Sequence, residues 1–372
     1  MRRLPTFVPC LLLAALALPA RAAVVPEALR VPPGFRVEVF SADVPSAREI
    51  ALGARGTVFV GSMAAGKVYA LTDADGDGRA ERVRVVASGL QMPVGVAFRD
   101  GDLYVSAVSR ILRLRAIGDH LDDPPAPEVV TDKLPRETHH GWRYLAFGPD
   151  GKLYVPIGAP CNVCDRAGYA KLTRMDADGT HWQDVAYGIR NTVGFTWQPG
   201  SGTLWFTDNG RDWMGDDMPS DELNRLDRVG EHFGFPYCHQ GDTLDPEFGR
   251  GKSCKDYAPP AHRLGAHVAA LGLAFYDGTQ FPARWRGALF IAEHGSWNRS
   301  VKSGYRVVAV HVDARGRVRG EETFLDGFLQ GDSARGRPVD VKVAPDGALL
   351  VSDDLAGAVY RITYGAAPTS RR

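Results

Sequence analysis

Residues 138–155 read THHGWRYLAFGPDGKLYV. A polar loop leads into an apolar strand, a Pro-Asp-Gly turn follows at residues 149–151, and a second apolar strand ends the stretch. The same strand–turn–strand pattern returns elsewhere, which makes six copies in all. The other five lie at residues 50–60, 96–105, 195–206, 273–291 and 341–351. We infer that the chain is organised around this repeat.

Each repeat contains more than one hairpin. The second copy has four short β-like runs, at residues 94–98, 103–107, 111–116 and 127–133. The first copy has the same four, at residues 50–52, 57–61, 67–72 and 83–87. Four antiparallel strands every ~40–50 residues, with no helical period between them, are typical of propeller blades. We predict an all-β fold, a six-bladed β-propeller with four-stranded antiparallel blades, in which residues 36–40 complete the last blade.

Length and charge leave the function open but remove some classes of partner. The 372 residues suffice for one large all-β domain or for two ordinary ones. The 44 basic and 44 acidic residues give no net charge, so nothing predicts attraction to nucleic acid or to anionic lipid. We predict one propeller domain over residues 23–372, with inserted loops at about residues 211–222 and 236–267.

The N-terminus carries the pattern of an export signal. Arg2 and Arg3 precede an apolar run at residues 7–20, and Ala20-Arg21-Ala22 follows it. We predict a signal peptide over residues 1–22, and a periplasmic or secreted mature protein. A retained membrane anchor is the alternative, although the run is short, and no later segment approaches the ~20 apolar residues of a stable membrane span.

Cysteine usage fits an oxidising compartment. Cys10 belongs to the predicted signal, so four cysteines remain. They allow three disulfide pairings, of which we favour the two local pairs, Cys161–Cys164 and Cys238–Cys254. The compartment and the unequal spacing disfavour the alternative of a four-cysteine zinc site.

The propeller geometry predicts where a ligand site would lie. The first strand of each blade lines the central channel, and the residues just ahead of it converge at one mouth with the loops that follow the second strands. Such loops include residues 209–212 and 293–299. Polar groups aimed at one funnel indicate a ligand site. The positions ahead of the first strands are Arg48, Gln91, His140, Arg190, Asn191, His267 and Arg337.

Several motifs resemble one enzyme family. They are His140 ahead of residues 147–154, Gly188-Ile189-Arg190-Asn191, residues 208–210 with 221–224, and residues 293–299. In this order the chain resembles the soluble PQQ-dependent sugar dehydrogenases, the glucose/sorbosone dehydrogenase family, and within it the L-sorbosone dehydrogenase-like branch. The resemblance runs from about residue 32 to residue 364.

The resemblance implies a reaction and its residues. Members of that family take a hydride from C1 of an aldose or a related aldehyde hydrate and give it to PQQ. By resemblance His140 is the general base, a role that suits a pKa near neutrality. The family binds Ca²⁺ through backbone carbonyls, here those of Gly210 and Arg211, and Asp221 and Glu222 supply negative charge close by. His139 and Arg211 depart from the residues that relatives usually carry.

PQQ is a tricarboxylate, and the planar guanidinium of arginine suits carboxylates. The cofactor-binding residues that we expect are Gln91, Arg190, Asn191, Arg299 and Arg337. Trp142, Trp213 and Trp297 are candidates for stacking on the cofactor or the sugar, although tryptophan beside a strand more often packs in the core.

A second calcium site is predicted in blade one. Asp73, Asp75 and Asp77 match the first half of a calcium loop, but Arg84 stands where the bidentate acid of a complete loop would be. A solvated Asp/Gly turn is the alternative.

The hypothesis that follows is a periplasmic quinoprotein oxidoreductase with PQQ and Ca²⁺, acting on an aldose or a sorbosone-like aldehyde. It would pass electrons to an external cytochrome or quinone, since no haem or flavin motif is visible. A metal-dependent propeller lactonase or hydrolase is the alternative enzyme. A non-catalytic carbohydrate- or protein-binding propeller is the alternative without chemistry.

Overall fold

The computed structural model of the protein describes residues 26–365. These residues form six small antiparallel sheets around a common axis, so the predicted six-bladed β-propeller is confirmed. The signal peptide predicted for residues 1–22 lies outside the described residues. Over the part of the chain that is described, no helix has the length and apolar character needed to cross a membrane.

The first three blades follow one another along the chain. Blade one consists of Ala47–Leu52, Val58–Ser62, Val68–Thr72 and Arg82–Ala87. Blade two consists of Val96–Arg99, Asp102–Ala107, Arg110–Leu114 and Glu128–Thr131. Blade three consists of Ala146–Phe147, Leu153–Ile157, Lys171–Met175 and Gln183–Tyr187, and Glu231–His232 adds a fifth strand in parallel.

The last three blades contain the longer connections and the ring closure. Blade four consists of Phe195–Trp197, Leu204–Asp208, Ser220–Leu226 and His262–Ala266. Blade five consists of Ala270–Phe275, Ala288–Glu293, Arg306–Val312 and Val318–Leu325. Blade six consists of Pro338–Val343, Leu349–Asp353, Ala358–Tyr364 and the N-terminal strand Phe35–Ser41.

Short elements connect the blades. Two small hairpins pair Cys238–His239 with Thr243–Leu244, and Leu329–Gln330 with Ser333–Ala334. The 3-10 helices that the structure describes are Pro26–Ala28, Ala54–Gly56, Ile117–Asp119, Cys254–Asp256 and Ala283–Trp285.

The stacking of the blades explains why the second strands are buried and largely apolar. The second strands of blades three, four and six are buried along their whole length, because each sheet packs on a neighbour on both faces. A strand buried on both faces reads as a continuous apolar run and not as a strict alternation. Val155, Phe206 and Val351 are three of the fully buried side chains in these strands.

The N-terminal strand closes the ring. Phe35–Ser41 pairs antiparallel with Ala358–Tyr364, with Phe35 opposite Tyr364. This pairing matches the prediction that residues 36–40 complete the last blade. Without this strand, the outer edge of Ala358–Tyr364 would be left unpaired.

An aromatic cluster anchors this closing strand. The ring of Phe35 makes edge-to-face contacts with Phe281, Trp285 and Phe324, with centroids 4.7, 5.8 and 5.1 Å away. All three partners belong to blade five and are buried. The strand therefore belongs to the sheet of blade six and to the core of the neighbouring blade.

Both favoured disulfides are present. Cys161 is bonded to Cys164, and Cys238 is bonded to Cys254. The second bridge lies in the long connection between the last two strands of blade four, which ends at His262–Ala266. The other segment expected to be an insertion, residues 211–222, runs into the strand Ser220–Leu226.

Replacing Phe35 by alanine should destabilise the closed ring. Loss of a buried phenylalanine typically costs 3–5 kcal/mol, about the range that we expect here in the free energy of unfolding. Urea denaturation measures this change. Val129→Ala is the control, since Val129 is exposed and should change stability by less than about 0.5 kcal/mol. Equal stability of the two variants would contradict the role of Phe35.

Candidate active site

One cavity of about 470 Å³ lies where the loops of different blades meet. Its size is within the range of about 300–1,000 Å³ that is common for small-molecule sites. The positions ahead of the first strands line it, with the exception of Gln91. The structure brings together Arg48, His140, Arg190, Asn191, His267 and Arg337.

Two of the residues expected to bind the cofactor lie elsewhere. Gln91 is exposed and contributes its backbone carbonyl to the amide of Val108. Arg299 borders a separate surface depression, where its guanidinium donates to Asp217 and to the carbonyl of Asp216. The side chain of Arg299 is therefore directed toward the loop of blade four that carries Asp216 and Asp217, and not into the main cavity.

His140 is held in one orientation. Its backbone is in the left-handed region at φ 48°, and its side chain is buried. Nδ1 lies 2.7 Å from the carbonyl oxygen of Ala159, which can only accept, so Nδ1 carries the proton. Burial lowers the pKa of His140 well below its usual value, and the charge of Arg190 lowers it further. A neutral imidazole with Nε2 free of protons results.

Arg190 is fixed from two sides. Its guanidinium donates to Asn162 at 2.8 and 2.9 Å and forms an ion pair with Asp212 at 3.1 Å. Its backbone amide donates to a carboxylate oxygen of Asp208 at 2.9 Å, and Asn191 donates to the other oxygen at 2.6 Å. The side chain is therefore ordered before any ligand arrives.

Blades one, five and six supply a second charged group. Arg48 pairs with Asp354 at 2.9 Å, and the opposite oxygen of Asp354 lies 2.9 Å from Nε2 of His294. Although burial opposes the effect, His294 and Arg48 hold the pKa of Asp354 well below its usual value. Nε of Arg48 is buried and has no partner among residues 26–365. A buried donor of this kind is able to bind an acceptor from a ligand or from water.

Arg337 completes a ring of cations around the cavity. It donates to the carbonyls of His294 and Gly295 at 3.1 and 2.6 Å. Its backbone amide donates to Asp353 at 2.9 Å, as the amide of Arg190 donates to Asp208.

The residues expected around calcium are split between two cavities. Gly210 and Asp221 line the main cavity, whereas Arg211 and Glu222 line a small cavity behind it, which Gly210 also borders. Both oxygens of Asp221 accept backbone amides, from Gly210 at 2.8 Å and from Ala269 at 2.6 Å. Burial raises the pKa of Asp221 to about 6 and that of Glu222 to about 7.

Arg211 turns its side chain away from the main cavity. Its guanidinium pairs with the fully buried Asp245 at 2.6 Å and with Glu247 at 3.0 Å. Asp245 also accepts a hydrogen bond from Nε2 of His239 at 2.8 Å. Arg211 therefore ties the loop after Asp208 to the disulfide-bridged connection of blade four.

Sequence reasoning missed several residues of the cavity. His294 belongs to a predicted motif but carries no predicted role, and Met63 and Asp354 lie outside the predicted motifs. Both of the latter come directly after the second strand of a blade, in blades one and six. The loops that follow the second strands of all six blades reach the mouth of the channel, and this rule, when it is extended from blades four and five to every blade, identifies both residues.

The predicted second calcium site lies outside this cavity, in the turn between Val68–Thr72 and Arg82–Ala87. Asp73, Asp75, Asp77 and Glu81 carry oxygens that all lie within 4.8 Å of one another. Several of these oxygens already accept backbone amides of the turn. Calcium binding at this turn stays a prediction.

A family model described as "Domain of unknown function (DUF7133)" matches residues 24–360. The chain belongs to this family. An uncharacterized protein of Borreliella burgdorferi is 34% identical over 90% of this chain and 91% of its own length. The aldose sugar dehydrogenase YliI of Escherichia coli is 28% identical to this DUF7133 protein over 62% of each chain.

Solved structures share the fold at low sequence identity. The calcium structure of a Trichoderma reesei carbohydrate-active enzyme of family AA12 has a TM-score of 0.80 at 19% identity, and covers 91% of this chain and 97% of its own. The holo form of the pyranose dehydrogenase PQQ domain from Coprinopsis cinerea has a TM-score of 0.76 at 20% identity, with 90% and 97% covered. These likenesses establish the propeller architecture.

Replacing Glu293 by glutamine should flatten the pH dependence of stability. Burial raises the pKa of Glu293 to about 7, although Arg306 opposes this, and Glu321 and Asp221 add to it. A carboxyl group whose pKa is raised on folding adds to the stability of the fold. This contribution is fully present below the unfolded pKa of about 4, and it is lost as the pH rises from there through the folded pKa of about 7. The loss is on the order of 3 kcal/mol.

Chemical denaturation between pH 4.5 and pH 8 measures this effect. The wild type should lose stability relative to Glu293→Gln as the pH rises. Glu128→Gln is the control, because Glu128 lies on the outer strand of blade two and is exposed. Parallel stability curves for wild type and Glu293→Gln would exclude a raised pKa at Glu293.

Proposed function

We propose that this chain is a quinoprotein oxidoreductase that oxidises an aldose or a sorbosone-like aldehyde with PQQ and Ca²⁺. The observation that carries the proposal is the juxtaposition of a neutral, oriented His140 with three arginines in one cavity. The relative named as an aldose sugar dehydrogenase and the holo PQQ domain of similar fold support the same chemistry.

The residues of the cavity fit a flat polyanion. Arg48, Arg190 and Arg337 approach it from blades one, four and six and bring positive charge to it, which suits a ligand with several carboxylates. Nε of Arg48 and Nε1 of Trp142 are buried donors without a partner within residues 26–365. A ligand rich in acceptors would satisfy them. We propose Arg190, Asn191 and Arg337 as cofactor-binding residues, together with Arg48.

The oxidation needs a group that removes a proton as the hydride leaves the sugar carbon. When bound, PQQ would supply an electrophilic carbon that accepts the hydride, and Ca²⁺ would polarise its carbonyl. His140 is suited to take the hydroxyl proton at Nε2, because Nδ1–H is committed to Ala159. Its lowered pKa keeps it unprotonated at neutral pH.

The proposed binding site for Ca²⁺ is the loop that follows Leu204–Asp208. Ca²⁺ prefers oxygen ligands, and backbone carbonyls are common among them. The carbonyls of Gly210 and Arg211 make no hydrogen bond with the rest of the described chain, and Asp221 adds negative charge beside them. Glu222 lies one layer further from the cavity. The donor set is therefore compatible with calcium.

The pairing of the cavity's acids favours this proposal over a metal-dependent hydrolase. Asp212 is bonded to Arg190 and Asn298, Asp354 to Arg48 and His294, and Asp221 to backbone amides. A hydrolytic metal site needs several acid or amide oxygens directed at one central ion. The three acids here serve instead to hold cations and loops.

We also propose an extracytoplasmic location. The predicted removal of residues 1–22 would release a chain whose residues 23–372 form one propeller domain, in a compartment where both disulfides persist. Electrons would then leave to an external cytochrome or quinone.

Adding PQQ with Ca²⁺ to the apoprotein should raise its melting temperature and create sugar-dependent reduction of a dye. Ligand at about 100 times its Kd stabilises the folded state by about 2.7 kcal/mol, which is several degrees in Tm. Differential scanning fluorimetry and a dye-reduction assay over a panel of aldoses are the measurements. The absence of both a shift in melting temperature and dye-reducing activity would favour a non-catalytic binding propeller.

Replacing His140 by alanine should leave PQQ binding intact and lower kcat by roughly 10²–10⁴-fold, the usual contribution of a general base. Stopped-flow reduction and cofactor titration separate the two effects. His181→Ala is the matched control, because His181 is an exposed histidine in a turn of blade three and pairs with Asp176. A wild-type rate in His140→Ala would reject this residue as the base.

A further inference from the structure

Two large aromatic rings stand exposed at the edge of the cavity. The side chains of Trp213 and Trp297 are 69% and 66% exposed. Their ring centroids are 5.4 Å apart and their planes are perpendicular at 89°. Trp297 lines the cavity itself, and Trp213 follows Asp212, which also lines it. We call this pair the tryptophan lip.

The lip is held in place by the loops beneath it. The amide of Asn298 donates to Asp212 at 2.9 Å, and Nε of Arg299 donates to the carbonyl of Asp216 at 2.9 Å. Ser300 adds further hydrogen bonds to Asp216. The loops of blades four and five are thereby joined directly below the two rings. The rings are positioned without being buried.

Trp213 is one of thirteen non-glycine residues with a positive φ among residues 26–365. Trp213 is in the left-handed region at φ 69°. A bulky side chain rarely adopts this conformation, and strain of this kind concentrates at functional sites. Because the ring is more than two-thirds exposed, the strain is not offset by packing in the core. A ligand that covers the ring would account for both features.

The chemistry of the lip suits a sugar. Aromatic faces bind the apolar C–H face of a pyranose ring, and hydroxyl groups need hydrogen-bonding partners at the ring's edge. Here Asp216 and the largely exposed Asp217 follow Trp213 in the same loop.

The size of the cavity places additional sugar units outside it. A volume of about 470 Å³ has room for a flat cofactor and one terminal ring, so a longer chain would have to leave across the edge. The tryptophan lip lies along that edge. It continues the wall of the cavity through Trp297 and does not form a separate apolar patch.

We propose that the tryptophan lip binds the second and following rings of an oligosaccharide whose terminal ring enters the cavity. This inference rests on the proposed function, since it extends the substrate from a single sugar to the end of a sugar chain. It assigns Trp213 and Trp297 to specificity for chain length and not to the hydride transfer.

Kinetics with substrates of increasing length test the proposal. The probes are the mono-, di-, tri- and tetrasaccharides of glucose, xylose, mannose and galactose, with the holoenzyme and a dye. In one series kcat/KM should rise about tenfold from the monosaccharide to the trisaccharide, the scale expected for one stacked ring. Trp213→Ala should abolish most of this rise, and Trp213→Phe should restore part of it.

The matched control is Tyr187→Ala, which removes another exposed aromatic ring from the outer strand of blade three. It should leave the length preference unchanged. Equal kcat/KM for all lengths in every series would overturn the proposal, as would an unchanged length preference in Trp213→Ala. An effect of Trp213→Ala only on the rate with a protein electron acceptor would also overturn it, because the lip would then be a protein-docking surface.

A binding experiment separates this proposal from the proposed function. Isothermal titration of the apoprotein with the same sugars needs no PQQ. The trisaccharide of one series should bind about tenfold more tightly than the monosaccharide, and Trp213→Ala should remove the difference. If the protein shows no quinone-dependent activity, this difference still supports the lip. Equal affinity for all lengths overturns it.

Discussion

The cavity depends on buried carboxylates that accept the backbone amides of the surrounding loops. Asp208 binds the amides of Arg190 and Asn191 at 2.9 and 2.6 Å, and Asp353 binds the amide of Arg337 at 2.9 Å. Both acids end the second strand of their blade. Loops of this kind lack a β-ladder, and a buried amide without a partner is costly. The acids therefore turn irregular segments into a rigid frame for the arginines.

Burial of these carboxylates raises their pKa values. Burial raises the pKa of Asp353 to about 6 and raises that of Asp208 well above its usual value, with Glu222 adding to the effect at Asp208. The backbone amides act in the opposite direction, because they favour the charged carboxylate. The loops and the acids are thus coupled, and the geometry of the cavity and the charge around it belong to one network.

The repeat made the architecture predictable, because six copies of an apolar hairpin can bury their faces only against one another. The convergence of His140, Arg190 and Arg337 followed from the same geometry. The repeat did not predict where the side chains of Gln91 and Arg299 lie, because a position in the blade does not determine whether a side chain points toward the axis or away from it. Arg299 finds its partners in a neighbouring loop, and that arrangement depends on tertiary contacts that periodicity does not carry.

The pairing of Phe35–Ser41 with Ala358–Tyr364 joins the two ends of the chain in a single sheet. During synthesis the first of these strands is made more than three hundred residues before its partner. Arg48 of blade one pairs with Asp354 of blade six, which joins the first blade to the last. The residues that line the cavity run from Arg48 to Asp354, so the lining is complete only after blade six has been reached. A ligand that contacts the whole lining can therefore bind only after most of the chain has been made, so formation of the ring precedes binding.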